Sequence, residues 1–210
     1  MKQLKIVKLF SSRALIFSLF FTIFFAAELK AMAVDQTGGD LSSAMVWTGK
    51  PMLDKAPENM VAFRKQFEIT TLPQHATLHL FADVRYMLWV NGRYVERGPA
   101  RFEPAAPEYD SVDITTFMCA GSNLISILVT AQISNGRTRL HEPCLTAELI
   151  EQNDGESKIV FDTDATWKWN DQTRYRRAIT DWANIYDVVD ARVEDGDWTQ
   201  LDYDDGASVI

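Results

Sequence analysis

The chain has 210 residues, 47% of them hydrophobic, which suits one domain of moderate size with an ample core and excludes a chain disordered throughout. Asp plus Glu outnumber Lys plus Arg by 29 to 21, for a formal net charge of −8. Such an acidic balance argues against nucleic acid as a partner, because phosphates require clustered Lys and Arg.

Lys2, Lys5, Lys8 and Arg13 make a basic start, residues 14–27 form an apolar run interrupted only by Ser18 and Thr22, and Ala31-Met32-Ala33 offers small residues at a cleavage point. This is the pattern of a signal peptide over residues 1–33. The apolar run falls short of the ~20 residues a spanning helix needs, so no stable membrane anchor is expected and the protein reads as secreted or periplasmic. Val34, not a Cys, stands directly after the cleavage point, and a lipid anchor is therefore not indicated. The leader holds five Lys or Arg and one Glu, so its removal takes the net charge from −8 to −12.

Residues 34–44 are polar and contain Gly, which predicts a flexible lead-in before a folded module over residues 45–205. Val61, Phe63, Phe67 and Ile69 alternate with Ala62, Arg64, Gln66 and Glu68, the period-two pattern of a strand with one buried face, broken only at Lys65. Residues 77–99 then read as strand, short turn, strand, two-residue turn, strand. Asn91-Gly92 supplies the positive φ that both central positions of a type I′ turn demand, and this sets the hairpin register. Tyr86, Leu88 and Val90 share one face, Met87 and Trp89 the other; apolar residues on both faces predict an interior strand. Gly98-Pro99 ends the third strand, because proline donates no ladder hydrogen bond. Residues 101–107 form a loop with two prolines.

Residues 109–114 predict a short strand and residues 115–121 a turn. Residues 123–131 are the most β-branched run in the chain and predict a core strand, so that Leu88, Val90, Ile125, Ile127 and Val129 are the expected core. Ser134-Asn135-Gly136 marks another turn, and two strands, residues 145–151 and 157–162, flank the turn at Asn153-Asp154-Gly155. No amphipathic helix of three turns occurs between residues 45 and 165. Many short strands with Gly, Pro and Asn turns predict an all-β, antiparallel sandwich. Trp167, Trp169, Tyr175, Trp182, Tyr186 and Trp198 crowd the last third, with a further strand expected over residues 187–193; these rings either stack on sugars or fill the core.

Cys119 and Cys144 are the only cysteines. A bridge between them would contribute about 3 kcal/mol in the chain-entropy model, against the alternative of two free thiols. No CxxC or Cys/His cluster points to zinc. Asn153-Asp154-Gly155-Glu156 and Asp162-Thr163-Asp164 carry hard oxygen ligands but no EF-hand pattern, and turn chemistry accounts for the first, so neither a metal nor any other cofactor is expected. His75 and His79 lie in one strand without a Gly-x-Ser-x-Gly elbow, and His141 lies beside Glu142 in a loop.

Phe63-Arg64-Lys65-Gln66-Phe67, Ala82-Asp83-Val84-Arg85-Tyr86, Trp89-Val90-Asn91-Gly92, Arg97-Gly98-Pro99-Ala100-Arg101, Tyr109-Asp110 and Asn123-Leu124-Ile125 occur in an order and spacing that resembles the N-terminal β-sandwich module of bacterial α-L-rhamnosidases. Val189-Asp190-Ala191-Arg192 and Asp197-Trp198 resemble the end of that module, and Asp204-Asp205 the opening of the next sandwich. The resemblance implies a jelly-roll-like, galactose-binding-like sandwich, and it places the acid and base carboxylates in a later (α/α)₆ barrel. This chain stops at Ile210, so residues 206–210 are expected to be the truncated start of a following domain.

Glycoside hydrolysis needs two carboxylates facing one bond, and no pair stands out among the acidic residues here. The expected function is therefore a non-catalytic module of an exported rhamnosidase-like glycoside hydrolase, whose partners are the missing catalytic domain and a rhamnose-containing carbohydrate. The alternative is a stand-alone lectin-like module. A sugar would sit at a loop end, where Arg97, Arg101, Phe102, Glu103 and Tyr109 cluster in sequence, the Arg side chains supplying donor forks and Phe102 or Tyr109 a flat face; the competing reading is that residues 97–101 stabilise the hairpin end and contact the missing catalytic domain.

Overall fold

A computed structural model describes residues 45–46, 59–83, 85–100, 102, 107–131, 143–172, 174–179, 185–193 and 196–204. The expected leader, lead-in and residues 206–210 lie outside them, except that the lead-in borders Met45; so do Arg101, Glu103, the Ser134-Asn135-Gly136 turn, His141 and Trp182. Eleven strands occur among the described residues: β1 (Asn59–Ile69), β2 (His75–Asp83), β3 (Arg85–Val90), β4 (Arg93–Gly98), β5 (Asp110–Asp113), β6 (Gly121–Ala131), β7 (Cys144–Asn153), β8 (Glu156–Asp162), β9 (Lys168–Asp171), β10 (Tyr175–Ile179) and β11 (Ile185–Val189). They form a five-stranded sheet in the order β4-β3-β6-β1-β9, a four-stranded sheet in the order β5-β2-β7-β8, and a β10-β11 ribbon. Every strand pairing is antiparallel, so the fold is the all-β antiparallel architecture the turns predicted.

The two larger sheets bury their facing sides in one core. Val61, Phe63, Leu88, Val90, Ile125, Ile127 and Val129 come from one layer; Ala76, Leu78, Leu80, Ala82, Leu145, Ala147 and Leu149 come from the other. All five residues expected in the core are there. Ile127 stands opposite Phe63 on one neighbour and Leu88 on the other, which makes it the centre of its layer. Each such side chain contributes about 1.5–3 kcal/mol by leaving water. Trp167 is fully buried, packs edge-on against Phe161 and donates its indole N–H to the Asp162 carbonyl at 3.0 Å. It serves the core, as does most of Trp198.

The turns carry the conformations that their residues favour. Asn91 and Gly92 have φ of 50° and 76°, and Asp154 and Gly155 have 50° and 84°, both pairs in the left-handed region. Asn91 also anchors its hairpin to β6: its Nδ2 donates to the Phe117 carbonyl at 3.0 Å and to Asn123 Oδ1 at 2.8 Å, while its Oδ1 accepts the Leu124 N–H at 2.8 Å. Asn123, wholly buried, returns two bonds to the loop, donating to the carbonyls of Cys119 and Gly121.

The three strands expected over residues 77–99 are present as β2, β3 and β4, and β2 lies in the four-stranded sheet while β3 and β4 lie in the five-stranded one. Three expectations need correction. The first half of β1 is buried on both faces, not one, while Gln66 and Glu68 further along stay exposed. Residues 196–204 cross its outer side, where Trp198 packs with Met60, Ala62 and Leu128, and Arg64 donates to the Gln200 carbonyl at 2.7 Å beneath the Tyr203 ring. Lys65 keeps the alternation instead of breaking it, since its ammonium reaches past the core edge to Asp164 and Thr166. The last strand ends at Val189, because Asp190 accepts the Arg192 N–H and turns the chain. The two cysteines are free, Cys119 exposed and Cys144 buried.

Candidate functional site

The candidate site begins at the β3–β4 hairpin. From the Asn91-Gly92 turn, Val90 pairs with Arg93 and Trp89 with Tyr94; then a bulge intervenes, and Leu88 pairs with Glu96 and Met87 with Arg97. The extra residue is Val95, which packs toward the core. Without the bulge Arg97 would stand opposite Tyr86 and point inward. With it, Arg97 and Tyr94 both flank the outward-facing Met87 and Trp89. Both are exposed, and β4 is the edge of its sheet.

Behind Tyr94 runs a row of rings. Its centroid lies 5.8 Å from that of Trp89 at an interplanar angle of 73°, and Trp89 lies 5.4 Å from Trp198 at 75°. Edge-to-face geometry is the favourable one for aromatic pairs, and the buried Trp198 holds the row in place. The Arg97 side chain makes no hydrogen bond or ion pair with any described residue. Arg93, by contrast, stacks 4.5 Å from the Phe117 centroid and donates to the Thr116 carbonyl.

The end of β4 is tied to the other sheet. Tyr86 donates its hydroxyl to Asp110 Oδ2 at 2.5 Å, and burial, reinforced by that carboxylate, pushes the Tyr86 hydroxyl well above its usual range. Gly98 fits against this pair because it has no side chain. A Cβ there would stand 2.7 Å from the Tyr86 hydroxyl and closer still to the Asp110 carboxylate.

Past this junction the remaining sequence-predicted residues separate. Tyr109 lies over the outer face of the four-stranded sheet, its ring 4.9 Å from that of His79. Phe102 is only 8% exposed and packs edge-on against Phe81 at 5.1 Å, with Cys144 in the same cluster, so its ring offers no face to a sugar. Arg101 and Glu103 are outside the described residues. Of the expected residues, Arg97 lies on β4 of the five-stranded sheet, whereas Tyr109 and the buried Phe102 pack against the four-stranded one. Sequence reasoning missed Tyr94, Met87 and Trp89 as neighbours of Arg97, although the Asn-Gly turn already set Trp89 opposite Tyr94.

His79 and Glu148 face each other on that second sheet, Nδ1 to Oε1 at 3.7 Å, too far for a hydrogen bond. Burial, with a contribution from Asp83, pushes the Cys144 thiol up to about 11, so it stays protonated and unreactive. Among the described residues no three His, Cys, Asp or Glu side chains converge on a point where a metal would sit, and no helix is long and apolar enough to cross a membrane.

The comparisons agree with this all-β architecture. Residues 72–209 match the model of the alpha-L-rhamnosidase N-terminal domain. The chain belongs to that family. A GH78 family rhamnosidase of Bacillus sp. GL1 is similar in structure, with 31% identity and a TM-score of 0.67 over 80% of this chain and 18% of that one. An α-L-rhamnosidase from Aspergillus terreus shares the fold at 19% identity and a TM-score of 0.65, over 80% of this chain and 20% of its own. The α-L-rhamnosidase of Streptomyces avermitilis, solved with L-rhamnose, does so at 19% identity and a TM-score of 0.54, over 78% and 14%. This chain thus spans a fifth or less of the length of these rhamnosidases. None of the curated proteins compared matches it.

Proposed function

We propose that this chain is a non-catalytic β-sandwich module of an exported α-L-rhamnosidase-like glycoside hydrolase. It supports rhamnoside degradation by packing against the catalytic part or by holding the glycan. The observation that carries this reading is the family match over residues 72–209, to a domain that makes up a fifth or less of the related enzymes. The signal-peptide pattern of residues 1–33 supports export to the periplasm or the medium. For sugar contact, Arg97 is the exposed sequence-predicted residue and Tyr109 a half-buried one, supported from beneath by Phe102.

Hydrolysis of an aryl α-L-rhamnoside tests the reading. The chain purified after export is expected to give no turnover, because the resemblance to rhamnosidases assigns the acid and base carboxylates to a barrel and not to this sandwich. Turnover that vanishes when one carboxylate is changed to its amide, in protein free of other hydrolases, would overturn it.

A further inference from the structure

We propose that the outer face of the β3–β4 hairpin is a saccharide-contact site, in which the Tyr94 ring stacks on the C–H face of one neutral pyranose and the Arg97 guanidinium takes its hydroxyls. This rests on the carbohydrate-holding role proposed above and gives it a place and a ligand chemistry. It also names residues outside the 97–109 segment.

Three observations carry it. Tyr94 is 52% exposed, although large aromatics are usually covered, and its ring is held by Trp89 and Trp198 behind it, so the platform is ordered before any ligand arrives. Arg97 presents its five N–H donors with no described partner, whereas Arg64, Arg93 and Arg192 each donate to a neighbour. The bulge sets the two on one face, opposite Trp89 and Met87, which are alternate residues of a strand. That puts their Cα atoms about 7 Å apart, the scale of one sugar ring.

The occupant follows from area and charge. Among the described residues Tyr94 is the large exposed apolar side chain that β4 offers, and one ring covers one sugar; a protein partner would need about 800 Å² on this side. The formal net charge of −8 disfavours a polyanion, leaving a neutral glycan. β4 is an edge strand, so the glycan has room to run on past it.

The test is titration of methyl α-L-rhamnoside and a neutral rhamnose-containing oligosaccharide into the ¹⁵N-labelled chain, with Tyr94→Ala and Arg97→Ala alongside. Saturable shifts at residues 87–97, together with a weakening of about tenfold in each variant at unchanged melting temperature, are expected. Shifts confined to residues 99–109, or binding that both variants retain in full, would overturn this site and leave the carbohydrate-holding role standing. No shift anywhere up to tens of millimolar ligand would overturn both the site and that role. Since Tyr94 and Arg97 are exposed, a folding defect is not expected, and the urea midpoint of each variant checks it.

Discussion

Two buried groups make the sandwich sensitive to alkali. The Cys144 thiol is raised from 9.0 to about 11 by burial and by Asp83, and the Tyr86 hydroxyl is raised by burial and by Asp110. Each group holds its proton more tightly folded than unfolded, so its contribution is complete below pH 9 and drains away as pH rises toward 11 and beyond. On the acid side, Asp113 and Asp197 are held below the usual carboxylate range by the hydroxyls of Thr115 and Thr199, so their contributions are present above pH ~4 and are lost as pH falls below it. The urea midpoint is expected to fall between pH 9 and 11, and Cys144→Ala is expected to flatten that fall; an unchanged slope in the variant would contradict the assignment. A thiol reagent at pH 8 gives an independent reading. It should modify one cysteine, the exposed Cys119, quickly, and Cys144 only on unfolding.

Among the elements, residues 196–204 act as a strap over the five-stranded sheet. Trp198 covers Met60, Ala62 and Leu128, Gln200 packs on Gly92, and Arg64 and Gln66 donate to the carbonyls of Gln200 and Leu201. Trp198→Ala would leave a cavity and loosen the ring row at Trp89, and a loss of about 3–5 kcal/mol in urea unfolding is expected. A loss under 1 kcal/mol would mean that the strap merely rests on the surface. Elements of this kind divide by how local their cause is. The two Asx-Gly turns, the alternation in β2 and the β-branched run of β6 were legible because each is set by residues within a few positions. The layer change between β2 and β3 was not, since alternation looks the same whether the next strand joins the same sheet or the facing one. Nor was the bulge at Val95, which decides where Arg97 points, because a β-bulge here carries no Gly to mark it. The double-sided burial of the first half of β1 shows in its sequence as the apolar Met60 and Ala62 on the outer face, but the strap that covers them lies over 130 positions away.

For the molecule as a whole, export makes a discriminating prediction. Expressed with its leader in a bacterial host, the protein is expected to appear outside the cytoplasm with Val34 as its first residue, and intact mass measures this. Retention of residues 1–33 in a membrane fraction would replace the signal peptide with an anchor. The Asn91 anchor also matters in another way. An Asn-Gly pair is where a chain most readily closes to a succinimide, as the glycine nitrogen attacks the asparagine amide. In the fold that amide is held by Phe117, Asn123 and Leu124, and the backbone is fixed in a turn. The same two residues that specify the hairpin are thus chemically durable only while the hairpin exists, and conversion to aspartate or isoaspartate at Asn91 becomes a record of how long each molecule has spent unfolded.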